Sequence, residues 1–166
     1  EPADNEPKEK IKYISDCQVD TDFEVLFPES YIENIAERIR LYRELDNIEN
    51  EKQLCKFEER LIDRFGNIPE QSKELFDVVR MRWIAVELGI EKIILKKKKM
   101  ILYFVSNQSS SYYASPIFSN ILLFVQTAKQ KCNIKQGKKL SLWFSDIKNI
   151  TQAKEKLNTM YKKVVG

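Results

Sequence analysis

The sequence predicts an α+β fold in which a cluster of three N-terminal helices packs with a small, mostly antiparallel sheet and two further helices. Between residues 31 and 88, apolar residues recur every three to four positions in three successive segments, which is the spacing of one helix face. Beyond residue 89, short apolar stretches are separated by turn residues, as is typical of strands. The predicted order is strand, three helices, two strands, helix, strand, helix.

The chain is predicted to consist of a linker and one domain. Residues 1–17 are rich in charge and contain two prolines, so we expect a disordered linker there. Residues 18–166 are expected to form a single domain, which is an ordinary size for one. Its first element is a predicted strand over residues 19–27, where apolar residues alternate. Because the chain starts at a glutamate rather than a methionine, we expect a piece of a longer protein.

Three helices are predicted next. The first spans residues 31–47, with Ser30 as its N-cap and Glu33 completing a capping box. The second and third span residues 51–65 and 70–88. The side chains that their periodicity turns inward are, in chain order, Ile32, Ile35, Ile39, Tyr42, Leu45, Leu54, Phe57, Leu61, Phe65, Leu75, Phe76, Val79, Trp83 and Val86.

The C-terminal part alternates strands and helices. Two apolar runs within residues 90–105 predict a β-hairpin whose turn consists of four lysines. Residues 116–131 open on a proline and have helical periodicity. Residues 140–144 alternate as a strand, and residues 149–163 predict a final helix.

Several functional classes lack support in the sequence. There is no histidine, no phosphate-binding GxxxxGK motif and no nucleophile motif, so catalysis is not expected. Cys17, Cys55 and Cys132 are odd in number and far apart, which favours small core residues in a reducing cytoplasm over disulfides or zinc. No apolar run reaches the roughly 20 residues of a membrane span. We expect a monomeric, non-catalytic domain without cofactor, metal or membrane contact.

Charge is distributed unevenly along the chain. The net charge is +3, but residues 92–166 hold 15 basic and two acidic side chains, whereas residues 1–91 hold 13 basic and 23 acidic ones. Such an asymmetry indicates a nucleic-acid or acidic-protein partner. A nucleic-acid-binding domain that uses the basic half is therefore one hypothesis for the function.

The lysines of the predicted hairpin turn have two interpretations. Lys96, Lys97, Lys98 and Lys99 would contact phosphates in a nucleic-acid-binding domain. Lysine is also common at exposed turns, where it prevents edge strands from pairing with other chains. Other residues would extend a nucleic-acid site, by charge or by stacking on bases. They are Lys129, Lys131, Lys135, Lys138, Lys139, Tyr112 and Tyr113.

The most informative stretch is R-L-I-D-R-F-G-N-I-P at residues 60–69. Leu61, Ile62 and Phe65 are three and four residues apart, so the spacing predicts that they share one inward helix face. Gly66 is suited to ending that helix, and Pro69 to the first turn of the next.

This stretch resembles the L-x-D-R-F-G-x-x-P signature in the C-terminal domain of bacterial transcription-repair coupling factor (Mfd). Three further segments are similar to that family in the same order. They are F-P-E-S-Y-I at residues 27–32, R-I-R-L-Y at residues 38–42 and L-G-I-E-K-I at residues 88–93. The resemblance covers residues 24–105; beyond them it is one of layout.

The resemblance implies a regulatory function within a larger protein. Family members are ATP-dependent DNA translocases that remove stalled RNA polymerase from duplex DNA and recruit the repair protein UvrA. The C-terminal domain docks on the N-terminal UvrB-like module of the same chain, masks the UvrA-binding surface and restrains the motor. No motor motif is present in this sequence.

The resemblance also assigns roles to residues. Glu59, Arg60, Asp63 and Arg64 would lie at the docking interface, and Phe65, Gly66, Pro69 and Gly89 would be structural. The family usually has an acidic residue where this chain has Arg60. The charge pairing is therefore either reversed here or moved to Glu58 and Glu59. The residues alone favour an ordinary helix-surface ion pair of Asp63 with Lys or Arg neighbours, and the resemblance shifts the interpretation towards docking.

Overall fold

The computed structural model describes residues 11–128 and 132–166. The described part contains five α-helices and a five-stranded sheet, which confirms the predicted α+β class. In chain order the elements are β1 (Gln18–Thr21), α1 (Ile35–Asp46), α2 (Glu51–Phe65), α3 (Glu70–Leu88), β2 (Ile90–Lys96), β3 (Lys99–Phe104), α4 (Pro116–Thr127), β4 (Cys132–Gln136), β5 (Leu140–Phe144) and α5 (Ile150–Val165).

The sheet has the strand order β1-β2-β3-β5-β4. β1 pairs with β2 in parallel, and every other pair is antiparallel, so the predicted mostly antiparallel sheet is confirmed. The sequence analysis missed β4. Its residues, Cys-Asn-Ile-Lys-Gln, are mostly polar because β4 is an edge strand, so the apolar alternation that marks a strand is weak there.

Two N-terminal predictions are wrong in their boundaries. The predicted strand over residues 19–27 is only the four-residue β1, because the chain then leaves the sheet and buries Phe27 among the helices. The predicted first helix starts at Ile35 instead of residue 31. Its N-cap is Asn34, whose side chain accepts a hydrogen bond from the Glu37 N–H at 3.0 Å, so the predicted Ser30 capping box is wrong.

The side of α1 that faces the core also differs from the prediction. Leu41 and Leu45 face the core, whereas Ile35 and Ile39 are 66% and 45% exposed, contrary to the predicted inward stripe. The helices predicted at residues 51–65 and 70–88 are confirmed at both ends, and α5 extends two residues past its predicted end. α4 ends at Thr127, and the predicted end at residue 131 lies outside the described residues.

The interior is divided into two hydrophobic cores that share α3. One core lies between the sheet and the helices α3, α4 and α5. The other is formed by α1, α2 and the first half of α3. α3 contributes Phe76 and Val79 to the helical core, and Met81, Ala85 and Leu88 to the sheet core. Because α3 is buried along two sides, a single inward stripe describes it poorly.

Residues just before β1 pack on the domain. Tyr13 and Ile14 contact the sheet core, and Cys17 is 1% exposed, with a thiol pKa that burial raises to about 12. Asp16 accepts two hydrogen bonds from the Arg82 guanidinium, at 2.9 and 3.0 Å. The division into a linker at residues 1–17 and a domain at 18–166 stays a prediction, and these contacts extend the packed region N-terminally of residue 18. Cys55 is exposed, so its predicted core position is wrong.

Candidate protein-docking site

The joint between α2 and α3 is held by a tyrosine from outside both helices. Gly66 ends α2 with a φ of 84°, and its N–H donates to the Ile62 carbonyl at 2.9 Å. The Tyr31 hydroxyl donates to the Gly66 carbonyl at 2.9 Å, and the Tyr31 ring packs against Phe65 with 5.8 Å between centroids. The Pro69 carbonyl accepts hydrogen bonds at the start of α3. These contacts fix where the last turn of α2 presents its side chains.

A second glycine joint links α3 to the sheet. Gly89 has a φ of 76°, and a Cβ placed on it would lie 2.2 Å from the Tyr112 ring. Tyr112 is fully buried, and its hydroxyl donates to the Leu88 carbonyl at 2.7 Å. The chain therefore requires glycine at this position for two reasons, the backbone conformation and the close approach of the ring.

Two of the four predicted interface residues form ion pairs within the domain. Arg60 pairs with Glu44, and Arg64 pairs with Glu37, so both arginines connect α2 to α1. Each guanidinium also lies over an aromatic ring of its own helix, Arg60 over Phe57 and Arg64 over Phe65. The charge of Arg60 is therefore balanced by Glu44, whereas Arg64 shares Glu37 with Arg40 and its charge is balanced only in part.

The other two predicted interface residues, Glu59 and Asp63, are exposed carboxylates. Neither makes a hydrogen bond or ion pair with any residue in the two described ranges, so the alternative of a surface ion pair for Asp63 does not occur there. Ile62 is 49% exposed, and its predicted inward position is wrong. Glu59, Ile62 and Asp63 are three and four residues apart and share one side of α2 with the exposed Cys55. We call these four residues the α2 outer face.

A cleft of about 430 Å³ runs beside this face, between α1 and α2. Leu41, Phe57 and Leu61 form its apolar part, and Asp63 lies on its rim together with the paired arginines. The α2 outer face itself is acidic and partly apolar, whereas the cleft beside it carries both signs of charge, with Arg40, Arg60 and Arg64 facing Glu44 and Asp63. Sequence reasoning missed Glu37 and Glu44, which pair with the two arginines. Both are on the polar side of α1, and nothing in the local sequence indicates that their partners lie on α2.

The lysine turn is narrower than predicted. The β2–β3 hairpin is confirmed, but its turn consists of Lys97 and Lys98, with φ values of 53° and 60°. Lys96 pairs with Asp20 at 3.0 Å, and the Lys97 N–H donates to Asp22 at 3.0 Å. Acidic residues beside the turn thus already contact part of it, and its role in nucleic-acid binding stays a prediction.

The other predicted nucleic-acid contacts are scattered. Tyr112 is buried, so its predicted stacking on bases is wrong. The Tyr113 hydroxyl donates to the Val105 carbonyl, and its ring packs edge-on against Phe118. Lys129 and Lys131 lie outside the described residues. Lys135, Lys138 and Lys139 belong to the β4–β5 hairpin, which is separate from the turn at Lys97.

Within residues 11–128 and 132–166, no group of three histidine, cysteine, aspartate or glutamate side chains is placed to hold a metal ion. Over the same ranges, none of the helices has the length and apolar character that crossing a bilayer requires.

Comparison with known proteins identifies the family. The TRCF domain family model matches residues 21–115. The transcription-repair-coupling factor of Rickettsia prowazekii is 31% identical over 116 residues, 70% of this chain and 10% of that protein. The protein of the same name from Escherichia coli is 28% identical over 102 residues, 61% of this chain and 9% of that protein. The chain therefore matches about a tenth of the length of these relatives.

A solved structure agrees with the fold along nearly the whole chain. The crystal structure of a C-terminal domain of transcription-repair coupling factor superposes with a TM-score of 0.70 at 17% identity, covering 90% of this chain and 93% of that one. The family match includes the joint at Gly66, the joint at Gly89 and the α2 outer face. The chain belongs to the TRCF domain family and has the fold of the C-terminal domain of transcription-repair coupling factor.

Proposed function

We propose that this chain is the non-catalytic regulatory domain of a transcription-repair coupling factor and that it acts by docking on the N-terminal UvrB-like module of the same protein. The parent would be an ATP-dependent translocase on duplex DNA that removes stalled RNA polymerase and recruits UvrA. Docking would mask the UvrA-binding surface and restrain the motor. Family membership supports the assignment to a transcription-repair coupling factor, and the exposed carboxylates of the α2 outer face support the docking.

The observation that carries the proposal is the difference between the two pairs of predicted interface residues. Arg60 and Arg64 form ion pairs with carboxylates of α1. The Glu59 and Asp63 carboxylates have no ion-pair or hydrogen-bond partner among the described residues. Two uncompensated carboxylates beside the half-exposed Ile62 suit a partner surface that is basic with an apolar centre. The departure at Arg60 is thus best explained by a move of the acidic contact to Glu59.

The chemistry of this face also suits a contact that must open. Interfaces that form and release are smaller and more polar than permanent ones, which resemble a protein core. A coupling free energy of about 1–3 kcal/mol between docking and motor restraint shifts the populations roughly 5- to 150-fold. A few charged contacts and one exposed isoleucine are appropriate to that range.

The test is a calorimetric titration of this chain into the N-terminal UvrB-like module of its parent. We expect the Glu59→Arg/Asp63→Arg variant to lose the binding heat, because both carboxylates would then be replaced by charges that repel a basic partner. Glu24→Arg/Glu155→Arg is the matched control, since it makes the same charge change at two exposed glutamates away from α2. Equal binding by both variants would place the docking site elsewhere.

A second measurement concerns the parent protein itself. In the full-length protein, we expect Glu59→Arg/Asp63→Arg to raise the ATPase rate and UvrA binding, because docking no longer restrains either. Wild-type values for both quantities, in a variant that unfolds at the wild-type temperature, would refute an autoinhibitory role of this face.

A further inference from the structure

The sheet has one face that no described helix covers. α3, α4 and α5 pack on the side where Ile93, Leu102 and Leu142 point. α1 and α2 belong to the separate helical core. Because successive strand residues alternate between faces, the opposite side carries a different set. That set includes Lys92, Ile94, Lys96, Lys99, Ile101, Tyr103, Lys135, Ser141 and Trp143, and on β1 it includes Asp20.

A cleft of about 640 Å³ lies on this uncovered face. The β4–β5 turn, which carries Lys138 and Lys139, forms one wall, and strands β2, β3 and β5 form the floor. Four lysines line the cleft and no acidic side chain does, so the cleft attracts anions. The four are Lys92, Lys135, Lys138 and Lys139.

Two aromatic side chains lie on the floor. Tyr103 is opposite Ser141 in the β3–β5 register, so Trp143 is its diagonal neighbour, at the roughly 7–8 Å spacing of diagonal pairs. The Trp143 Nε1–H donates to the Ser141 hydroxyl at 2.9 Å, which fixes the orientation of the indole. Both rings are only partly buried, in contrast to Tyr112.

Lysine ammonium groups surround the indole ring. The Lys135 Nζ lies 3.8 Å from the ring centroid and the Lys99 Nζ lies 5.8 Å from it. Neither lysine has a carboxylate partner among the residues that the structure describes. Among the described residues, the indole ring is the main partner of the Lys135 ammonium. An anionic ligand would bind this ammonium more strongly than the ring does. Moving Lys135 from the ring to an anion would expose the indole face.

We propose that this cleft binds single-stranded DNA, with bases stacked on Trp143 and Tyr103 and backbone phosphates on Lys92, Lys135, Lys138 and Lys139. An extended single strand presents unpaired base faces and a regular line of phosphates at once, which is what aromatic rings flanked by lysines recognise. An acidic peptide would use the lysines and leave both rings without a role. A duplex hides its base faces inside the stack.

The choice of DNA over RNA rests on the proposed function, because a coupling factor that moves along DNA meets DNA strands. The cleft itself is independent of the docking proposal. It lies on β2, β3, β4 and β5, whereas docking uses α2, and β4 and β5 fall outside residues 21–115 that the family model matches.

The first test is fluorescence anisotropy of a labelled 12-nucleotide oligo(dT) titrated with the full 166-residue chain at low salt. We expect Lys138→Glu/Lys139→Glu to weaken binding at least tenfold, because both lysines are exposed on the turn and line the cleft. Lys97→Glu/Lys98→Glu is the matched control, with the same charge change on an exposed turn outside the cleft. We expect less than a threefold effect from it. Equal losses in both variants would mean unspecific attraction and would overturn the proposal.

The second test follows the indole directly. Oligo(dT) should quench tryptophan emission, and Trp143→Phe should abolish most of the quenching. The second tryptophan, Trp83, is on α3, away from the cleft, where its indole donates a hydrogen bond to the Ile48 carbonyl. Trp143→Ala should weaken binding about 5- to 150-fold, as loss of one stacked aromatic does. Trp143→Phe keeps an aromatic ring for stacking and should therefore retain most of the binding. It keeps the proposal testable even if Trp143→Ala misfolds. Quenching that persists in Trp143→Phe would overturn the proposal.

Competitors decide the class of ligand. We expect oligo(dT) to bind at least tenfold more tightly than a duplex of equal length or a poly-glutamate peptide. A preference for the duplex, for the peptide or for oligo(rU) would overturn the proposal. The slope of log affinity against log salt should fall by about 0.7 for each phosphate-contacting lysine removed. Glu59→Arg/Asp63→Arg should bind oligo(dT) like wild type, and Lys138→Glu/Lys139→Glu should still dock, so that the two proposals fail separately.

Discussion

The helical half of the molecule and its sheet half differ in their basic side chains: arginines in ion pairs in the first, and lysines that are mostly unpaired among the described residues in the second. All seven arginines lie between residues 38 and 82, whereas every one of the 15 cations from residue 92 onward is a lysine. Arg40, Arg60, Arg64, Arg80 and Arg82 form ion pairs with carboxylates. Beyond residue 100, Lys154 pairs with Asp77, whereas Lys135 has no carboxylate partner in the described part of the chain.

The difference follows from the chemistry of the two side chains. A guanidinium is planar and holds a carboxylate through two parallel hydrogen bonds, whereas an ammonium is a compact, strongly hydrated charge. Arg80 illustrates the first case, donating to both oxygens of Glu51 at 3.0 and 2.6 Å and to Asp77 at 3.0 Å. Arginine therefore connects helices to one another, and lysine leaves the sheet half with charge that is available to a ligand.

The two glycine joints provide the largest expected contrast between the halves. Gly89→Ala should destabilise the domain by about 3–5 kcal/mol, because the new methyl group meets the buried Tyr112 ring and the backbone is left-handed. Gly66→Ala should cost about 1–3 kcal/mol, because nothing lies within 4 Å of the position that its new methyl group would take and the cost comes from a backbone conformation that essentially only glycine adopts. Urea denaturation measures both. A larger loss for Gly66→Ala would contradict the tight packing at the sheet joint.

The lysine turn offers a stabilising change of intermediate size. Lys97 and Lys98 both have positive φ, which the two-residue hairpin turn requires and which Asn-Gly adopts at little cost. Lys97→Asn/Lys98→Gly should therefore raise the free energy of unfolding by about 1 kcal/mol, because relief of the left-handed strain outweighs the entropy that glycine adds to the unfolded chain. A thermal melt beside the Lys97→Ala/Lys98→Ala control, which removes charge without relieving strain, separates the two causes. Equal stabilisation in both variants would assign the gain to charge.

Arginine and lysine can be compared directly on one carboxylate. Asp77 accepts from Arg80 at 3.0 Å and from Lys154 at 2.9 Å. Arg80→Ala should destabilise by about 1 kcal/mol, because it removes contacts to two helices. Lys154→Ala should cost less, roughly half as much or below. Chemical denaturation of the two variants checks the ranking, and a larger effect of Lys154→Ala would reverse the assignment of structural roles.

The smallest effect concerns pH. The hydrogen bond from Arg80 holds the pKa of Glu51 below its ordinary value of 4.5. Since the folded state binds this proton more weakly than the unfolded chain, the contribution is fully present above about pH 5 and is lost as the pH falls through the lowered pKa. Glu51→Gln should flatten the stability curve between pH 5 and pH 3, by well under 1 kcal/mol because Glu51 is half exposed. An unchanged slope in Glu51→Gln would contradict the pair.

Much of the fold was predictable because periodicity reports burial. α2, α5 and the β2–β3 hairpin were placed correctly since each has one clear apolar face. The prediction failed where tertiary contacts override local pattern. Tyr31 and Ile32 donate to the Pro28 carbonyl in a turn, which delays α1, and the polar edge strand β4 has no sequence signal of its own.

The candidate sites were predictable only in part, for the same reason. The signature at Arg60 to Pro69 pointed to the proposed docking surface, but the pairing of Arg60 and Arg64 with α1 depends on side chains 16 and 27 residues away. The lysine run at residues 96–99 is conspicuous in the sequence, whereas the proposed cleft lies beside the other hairpin, β4–β5. The cleft around Trp143 is assembled from four strands, and no local segment contains enough of it to be noticed.

The shared helix α3 has a consequence for how the domain unfolds. Since α3 forms one wall of each core, neither half can lose its packing without exposing apolar side chains of the other. The domain should therefore melt as one cooperative unit, and the slowest-exchanging amides of α2 and β3 should share a single opening free energy. Because α3 packs on both cores, it connects the helices that carry the proposed docking face to the sheet that carries the proposed cleft.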